Sequence, residues 1–468
     1  MDDFLREIQT SVFREWINNQ KRDYYHLYQS ETDPDAIIIE NEYCYSYVTF
    51  NPQCIIELCV MNKRTDEMAF YLHFQFKTLK HAISLFEEMD QCIKKMVDQP
   101  MCRLLLCCSG GMTTAFFADK IKNGIKVLNL NMEVAATSYQ KIYNVAQNYD
   151  VILLAPQVSY VKLQVEKVFK NKLVLKIPTQ IFASYNVGAL ITFVEESLKH
   201  KENKYNGYVE PLASMMEIKT NKHVLAVSIN ANGENSHISY RLYNSHQDIV
   251  LDSNIIKSNI KLQDVLDALD TVVLQNEMID VISIALPGVM VEGNVYSGII
   301  EGGNHQLKER LEKRYEKEIY LINDVNAAVV GYYASQNEYK SLAFLFQPIG
   351  RMAGSGIIVS GQLIRGMDHL AGEVALLPLN LSDAYLTLAN TPEGTLELVT
   401  KNIMSIIAIV APEAIVVYSD LILDSQDVSD EIKKSLSQYS LKVYPKIIKV
   451  ENILEYILLG AMILSAKE

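Results

Sequence analysis

Cysteine disappears from this chain after position 108. All seven lie at 44, 54, 59, 92, 102, 107 and 108, and the rest of the 468 residues contain none. Their odd number and the lack of paired C-x-x-C spacing exclude a disulfide framework and a cysteine zinc site, and they suit a reduced cytoplasmic protein. Positive charge is also short: 43 Lys and Arg face 56 Asp and Glu, a net charge of −13. That balance argues against general nucleic-acid binding, which needs basic surface to replace counterions, although a local basic face remains open. Long apolar runs are missing as well. The best stretches, 403–410 and 453–465, are too short or too broken to span a bilayer. The opening Met1-Asp2-Asp3 reads as the acidic cap of a helix and not as a basic leader, so no secretory signal is expected.

What is present is an ordinary soluble composition, 49% hydrophobic and 21% charged, over a length that predicts two to four domains. In residues 1–100, Phe4, Leu5, Ile8, Val12 and Trp16 stand at helical spacing. Strand-like runs follow at 36–40, 43–49, 55–61 and 68–76, and an amphipathic helix at 79–97. This predicts a small, compact α+β unit without a helix-turn-helix pattern. Its aromatic stripes, Tyr43-Tyr45-Tyr47 and Phe70-His73-Phe74-Phe76, read as sheet packing.

The next hundred residues alternate strand and helix at 103–107, 115–122, 127–130, 138–147, 151–155, 159–170, 172–176 and 187–199. That rhythm predicts a four-stranded parallel sheet with helices on both faces and a ligand site at its carboxyl edge. At that edge an apolar strand runs into Cys108-Ser109-Gly110-Gly111-Met112-Thr113-Thr114. The glycines allow close backbone approach, and free N–H groups at a helix start form an anion cradle. The same field favours a thiolate, which predicts a nucleophilic Cys108, whereas Cys107 falls on the opposite strand face.

Over 101–199 the chain resembles the lactose/cellobiose-type enzyme IIB of the bacterial sugar phosphotransferase system. Cys108, Ser109, Gly111, Met112 and Thr114 match that family's C-S-x-G-M-S-T loop, and Ala155-Pro156-Gln157 matches its second signature, G-P-Q, with Ala for Gly. The resemblance implies phosphate carried on Cys108 and held by residues 109–114, with phosphocarrier or enzyme IIA proteins as partners. The stretch 178–185 lacks an acid that the family usually has. Residues 200–221 turn polar and irregular and read as a linker.

The third unit, 222–468, has three signatures: a strand ending Pro287-Gly288, a strand-to-helix turn Asn323-Asp324-Val325-Asn326-Ala327, and a glycine-punctuated hairpin at 354–366 followed by Ala371-Gly372-Glu373. In this order they resemble the ROK family of sugar kinases and repressors, whose fold is the two-lobed, actin-like (ribonuclease H-like) one. The resemblance implies sugar contacts from Asn323, Glu373 and Asn304, and in Asp324 the base that deprotonates a sugar hydroxyl. It also implies self-association.

The departures are equally specific. The family's first phosphate loop, D-x-G-G-T, stands here as Ser228-Ile229-Asn230-Ala231-Asn232, and the second as Gly350-Arg351-Met352-Ala353-Gly354. The late glycine pair that faces adenosine is replaced by Val417-Tyr418-Ser419-Asp420, and Leu376 stands where the family has His. Without small residues, backbone N–H groups are kept from phosphates. Neither zinc, ATP nor magnesium is therefore expected as a cofactor. Arg351 either pairs with a surface acid or offers its guanidinium to the phosphate of another ligand.

These residues predict a sugar-responsive regulator tied to the phosphotransferase system, sensing a sugar or sugar phosphate. Three alternatives stand beside it: an active sugar kinase, a plain IIB transport component, and a repressor, for which the usual winged helix is not found. If the chain is an enzyme, a phosphocysteine relay at Cys108 is favoured over an ATP-dependent kinase.

Overall fold

The computed structural model describes all residues except 1–2, 64–66, 99–101, 111, 129, 131, 171, 200–219, 233–234, 292–293, 297–298, 302–305, 368–369, 423, 438–443 and 467–468. The fold is mixed α/β.

The first segment comprises α1 (Asp3–Asn18), β1 (His26–Gln29), β2 (Ala36–Glu40), β3 (Cys44–Asn51), β4 (Ile55–Asn62), β5 (Glu67–Gln75) and α2 (Leu79–Asp98). The helix α1 forms where its spacing predicts it, but it turns a different face inward. Phe13 and Ile17 are fully buried, whereas Phe4, Leu5, Ile8 and Val12 are exposed. The reason is aromatic packing: Phe13 stacks on Trp16 and meets Phe50 and Phe76 edge-on or tilted, which fixes the helix rotation.

The second segment comprises β6 (Cys102–Cys108), α3 (Met112–Val127), β7 (Met132–Ser138), α4 (Ile142–Val145), β8 (Val151–Leu154), α5 (Lys162–Val168), β9 (Leu173–Lys176), α6 (Thr179–Ser184) and α7 (Val187–Lys199). Its sheet is all parallel, in the order β7-β6-β8-β9. The strand expected at 127–130 lies later, at β7. The residues Phe117, Ile121 and Ile125 are buried at helical spacing, so α3 runs on to Val127. The helices expected at 138–147 and 159–170 are broken into shorter pieces, the second by Pro156 opening a 3-10 turn over Pro156–Val161.

The third segment has two lobes. The first contains β10 (Val224–Asn232), β11 (Asn235–Tyr243), β12 (Ile249–Lys257), β13 (Ile260–Lys261), α8 (Leu262–Gln275), β14 (Val281–Leu286), β15 (Val289–Val291), β16 (Asn294–Tyr296), β17 (Ile300–Glu301), α9 (Leu307–Tyr315), β18 (Glu318–Asn323) and α10 (Asp324–Ala334). The second contains β19 (Leu342–Phe346), β20 (Gly354–Val359), β21 (Gln362–Leu363), α11 (Tyr385–Leu388), α12 (Pro392–Val410), β22 (Ala414–Tyr418), α13 (Ser425–Ser437) and β23 (Lys446–Lys449), and α14 (Leu454–Ala466) returns to the first lobe.

Residues 1–100 do not form a sheet of their own. Strands β1 to β5 continue the sheet of the first lobe, giving one ten-stranded sheet in the order β1-β2-β3-β4-β5-β12-β11-β10-β14-β18. The seam is short, with Tyr71 opposite Ile256, but the two parts share one apolar core that includes Phe74, Phe86, Ile229 and Leu269. Ion pairs cross it as well. The almost fully buried Lys257 ammonium lies 2.6 Å from Asp264 and 2.5 Å from Glu88, and Lys77 lies 2.6 Å from Asp267. A charge so placed needs both partners, because an unpaired buried ion is expensive.

The lobes meet at α10, which packs on β19 and β20 of the second lobe and crosses α14. A Cβ at Gly331 would overlap the Tyr456 carbonyl oxygen, and one at Gly460 would overlap that of Ala327. The backbones therefore touch, and a bidentate pair from buried Arg241 on β11 to Glu455, at 2.9 and 3.0 Å, pins the start of α14. Replacing Gly460 by Ala should destabilise the chain by roughly 1–3 kcal/mol, the usual cost of overpacking. A Tm within a degree of the parent would contradict this close crossing.

Candidate functional site

Two places gather the residues the sequence singled out. The first is the carboxyl edge of the parallel sheet. Strand β6 ends at Cys108, opposite Ser138 of β7 in parallel register. Cys108 is 4% exposed. The Gly110 amide donates to its sulfur at 3.2 Å, and the sulfur faces the Thr137 carbonyl at 3.9 Å. Gly110 has φ +101°, a left-handed conformation that suits glycine. Ser109 is exposed, and Met112, Thr113 and Thr114 form the first turn of α3, with the positive end of its dipole. Gly111 lies outside the described residues. Cys107, expected on the opposite face, is buried in the same apolar cluster as Cys108, and burial and then Cys108 push its thiol up to about 12.

The second is a cleft of about 1460 Å³ between the lobes. Asn323 ends β18 and caps α10, its Oδ1 accepting from Val325 and Asn326 at 3.0 Å and its Nδ2 donating to the Gly288 carbonyl at 3.2 Å. The amide is thus held rigidly at the cleft wall. Asp324 is the next residue, 7% exposed, and burial, with a smaller push from the Glu373 charge, raises its carboxyl to about 6. Burial also raises Glu373. This acid is positioned by Gly372, at φ +92°, where a Cβ would overlap the Ser355 carbonyl oxygen. The two carboxyl groups and Asn323 line the same cleft. Asn304 lies outside the described residues, as does most of the stretch read as a linker.

The two stretches aligned with phosphate loops both reach the cleft, but their backbones are tied into the protein. Residues 228–232 belong to β10, paired through Asn232 with β11. In the 350–354 loop, the Gly350 amide donates to the Ala389 carbonyl at 2.9 Å and the Ala353 amide to the Tyr385 hydroxyl at 3.2 Å. Buried Gln347 takes the Arg351 carbonyl at 3.0 Å and the Tyr385 hydroxyl at 2.8 Å. Two amides of this loop, those of Gly350 and Ala353, are thus engaged within the protein. Met352 and Arg351 both line the cleft. Asn230, His237, Ser239 and Asn254 complete the wall of the first lobe. Sequence reading missed His237 and Asn254, because single polar residues in a strand alternate there with apolar ones and carry no spacing signal. Burial holds the His237 imidazole below its ordinary value.

The IIB-like segment closes one end of this cleft. Tyr143, Asn144, Gln147, Lys167 and Lys170 line it opposite Tyr418, Asp420 and Glu451. Among the described residues no cluster of His, Cys, Asp or Glu could hold a metal ion, and no helix is long and apolar enough to cross a membrane.

Family comparison agrees with this division. The model of the PTS system, Lactose/Cellobiose specific IIB subunit, matches residues 103–191, and that of the ROK family matches 233–395. The chain is a fusion of a IIB-type domain with a ROK-type module. It is similar to the oligo-beta-mannoside-specific EIIB component of the PTS system of Bacillus subtilis, 30% identical over 67 residues, which are 14% of this chain and 65% of that protein, so the match spans less than two thirds of that relative's length. Similar solved structures include a ROK family protein from Streptococcus pneumoniae in complex with sucrose, at 17% identity, 52% of this chain, 97% of that one and a TM-score of 0.42. The lactose-specific IIB component domain of Streptococcus pneumoniae is similar at 23% identity, 20% of this chain, 96% of that one and a TM-score of 0.19.

Because folding raises the Asp324 pKa, its protonated form is favoured in the native state. The stability this contributes is complete below about pH 4, the unfolded value, and is lost as pH rises through about 6. Asp324→Asn should therefore raise the unfolding free energy at pH 8 by up to about 3 kcal/mol, and have little effect at pH 4, as read by denaturant titration at both pH values. An equal effect at both pH values would contradict the buried acid.

Proposed function

We propose that this protein is a cytoplasmic, sugar-responsive regulator of the phosphotransferase system, in which Cys108 accepts a phosphoryl group and the interlobe cleft binds a sugar or sugar phosphate. In the transfer, the Cys108 sulfur bonds to phosphorus as the bond from phosphorus to a phosphorylated carrier protein breaks. The carrier leaves with that electron pair and the thiol proton passes to solvent. Helix α3 and the Gly110 amide stabilise the incoming charge. Asn323, Asp324 and Glu373 then serve to hold sugar hydroxyls.

The observation that carries this reading is the unequal fate of the two halves of the cleft. Its carboxylates remain, while the Gly350 and Ala353 amides are bonded within the protein. Loss of a single stabilising donor already costs an acyl-transfer enzyme roughly 10²- to 10³-fold in rate, so the engaged loop disfavours ATP chemistry. One observation supports a kinase as the second reading: an acid with a pKa of about 6 suits a general base near neutral pH. ATP turnover that is abolished in Asp324→Asn would establish that reading in place of the regulator.

Incubation with phosphoenolpyruvate and the general phosphotransferase proteins should label Cys108 and spare Cys108→Ser. No label would sink the relay. Calorimetry with hexoses, amino sugars and their 6-phosphates should find a ligand whose affinity falls about tenfold or more in Glu373→Ala, the factor expected for one lost buried hydrogen bond. Silence across that panel would remove the cleft as a sugar site.

A further inference from the structure

The contact between the IIB-like domain and the second lobe is built from both sides. Leu421, 2% exposed, belongs to the same apolar cluster as Cys108, Ile142, Val158 and Phe169, and Ile349 packs against it. Tyr139 donates its hydroxyl to Glu393 at 3.2 Å, and Lys170 lies 3.6 Å from Glu451. Burial, with the Glu393 charge, pushes the Tyr139 phenol up to about 12, so it stays a donor throughout the neutral range. Leu421 directly follows the 417–420 stretch that stands where the ROK pattern faces adenosine, and Ile349 directly precedes the 350–354 loop. The nucleotide end of the cleft has become a seat for the domain that bears Cys108.

That seat lies one residue from the thiol's own neighbours. Cys108 pairs with Ser138, its sulfur faces the Thr137 carbonyl at 3.9 Å, and Tyr139 follows directly. Cys108 is 4% exposed, so three phosphoryl oxygens cannot be added at its sulfur without displacing either Ser109 and Gly110 or the end of β7. The end of β7 carries Tyr139, whose partner Glu393 is itself acidic, and a nearby dianion opposes that pairing.

We propose that the IIB-like domain is the built-in lid of the sugar cleft, and that a phosphoryl group on Cys108 releases it by displacing the end of β7 and breaking the Tyr139–Glu393 contact. The proposal rests on Cys108 being a phosphoryl acceptor. The Cys108–phosphorus bond forms as the carrier's bond to phosphorus breaks, so no further reactant is needed. Release opens the cleft mouth, and by linkage a ligand that favours the closed form opposes phosphorylation.

Zero-length carbodiimide cross-linking of the full chain reads the seat directly, because it joins the Lys170 amine to the Glu451 carboxyl. Peptide mass spectrometry should find this cross-link in the unphosphorylated protein. After incubation with phosphoenolpyruvate and the general phosphotransferase proteins, the docked-to-free ratio should fall roughly fivefold, the factor equivalent to one hydrogen bond of about 1 kcal/mol. Cys108→Ser should keep its cross-link under the same treatment. Tyr139→Phe, which removes only the hydroxyl, should weaken the cross-link before any phosphorylation. A Lys170–Glu451 cross-link that persists unchanged on protein carrying phosphate at Cys108 overturns the coupling alone. Its absence from the unphosphorylated protein overturns the lid. Absence of label at Cys108 overturns the relay, and this proposal with it.

Discussion

The backbone contact of α10 with α14 is the constraint on which the rest depends. Gly331 and Gly460 let the two helices approach until each would-be Cβ meets a carbonyl oxygen of the other. At that distance the lobes share a core in which Val329, Phe344, Leu458 and Met462 interlock, and each fully buried apolar side chain contributes about 1.5–3 kcal/mol. The functional turn lies at the first residue of α10, so Asp324 is positioned by the same crossing. A second close approach, Gly356 against the Val325 carbonyl, presses β20 onto α10, and Gly372 then lays Glu373 beside it. The two cleft acids belong to different lobes and are brought together by glycines with no side chain of their own to contribute.

Burial at that crossing has an electrostatic consequence. Two carboxyl groups in a partly desolvated cleft resist ionising together, and removal from water is the larger effect on both. The helix dipole and the Val325 amide, at 2.9 Å from Asp324 Oδ1, favour the anion but do not outweigh burial. A sugar hydroxyl entering the cleft would replace lost water and satisfy acids that the protein itself leaves short of donors. Such a site is costly when empty and relieved when filled.

Much of this was legible in the sequence because the decisive residues are small, local and ordered along the chain. The Cys108 loop announces itself through a strand followed by glycines and threonines, and the Asn323-Asp324 turn through a strand entering a helix; both were found where the spacing put them. What could not be read was non-local. The seam that merges β5 with β12 joins segments nearly two hundred residues apart, and its Tyr71–Ile256 pair looks like any other strand residues. In α1 the choice between the stripe at Phe4 and the one at Phe13 depended on the edge-on partner Phe50, which helical periodicity cannot see. The seat of the IIB-like domain uses Ile349, Leu421 and Tyr139, residues without a motif.

Those ordinary residues also give the two ends of one cleft different surroundings. The loss of small residues at a phosphate loop is readily reversed only if nothing else takes the space. Here Gln347 and Tyr385 engage the loop from within, and the IIB-like domain covers it from outside. With that end of the cleft covered, a glycine in place of Met352 would not by itself open the 350–354 loop, because Tyr143 and Phe169 would still line the approach. The same packing that closes the cleft to one ligand gives the Cys108 domain a fixed position against the other, and a fixed position is what any signal passing between two domains requires.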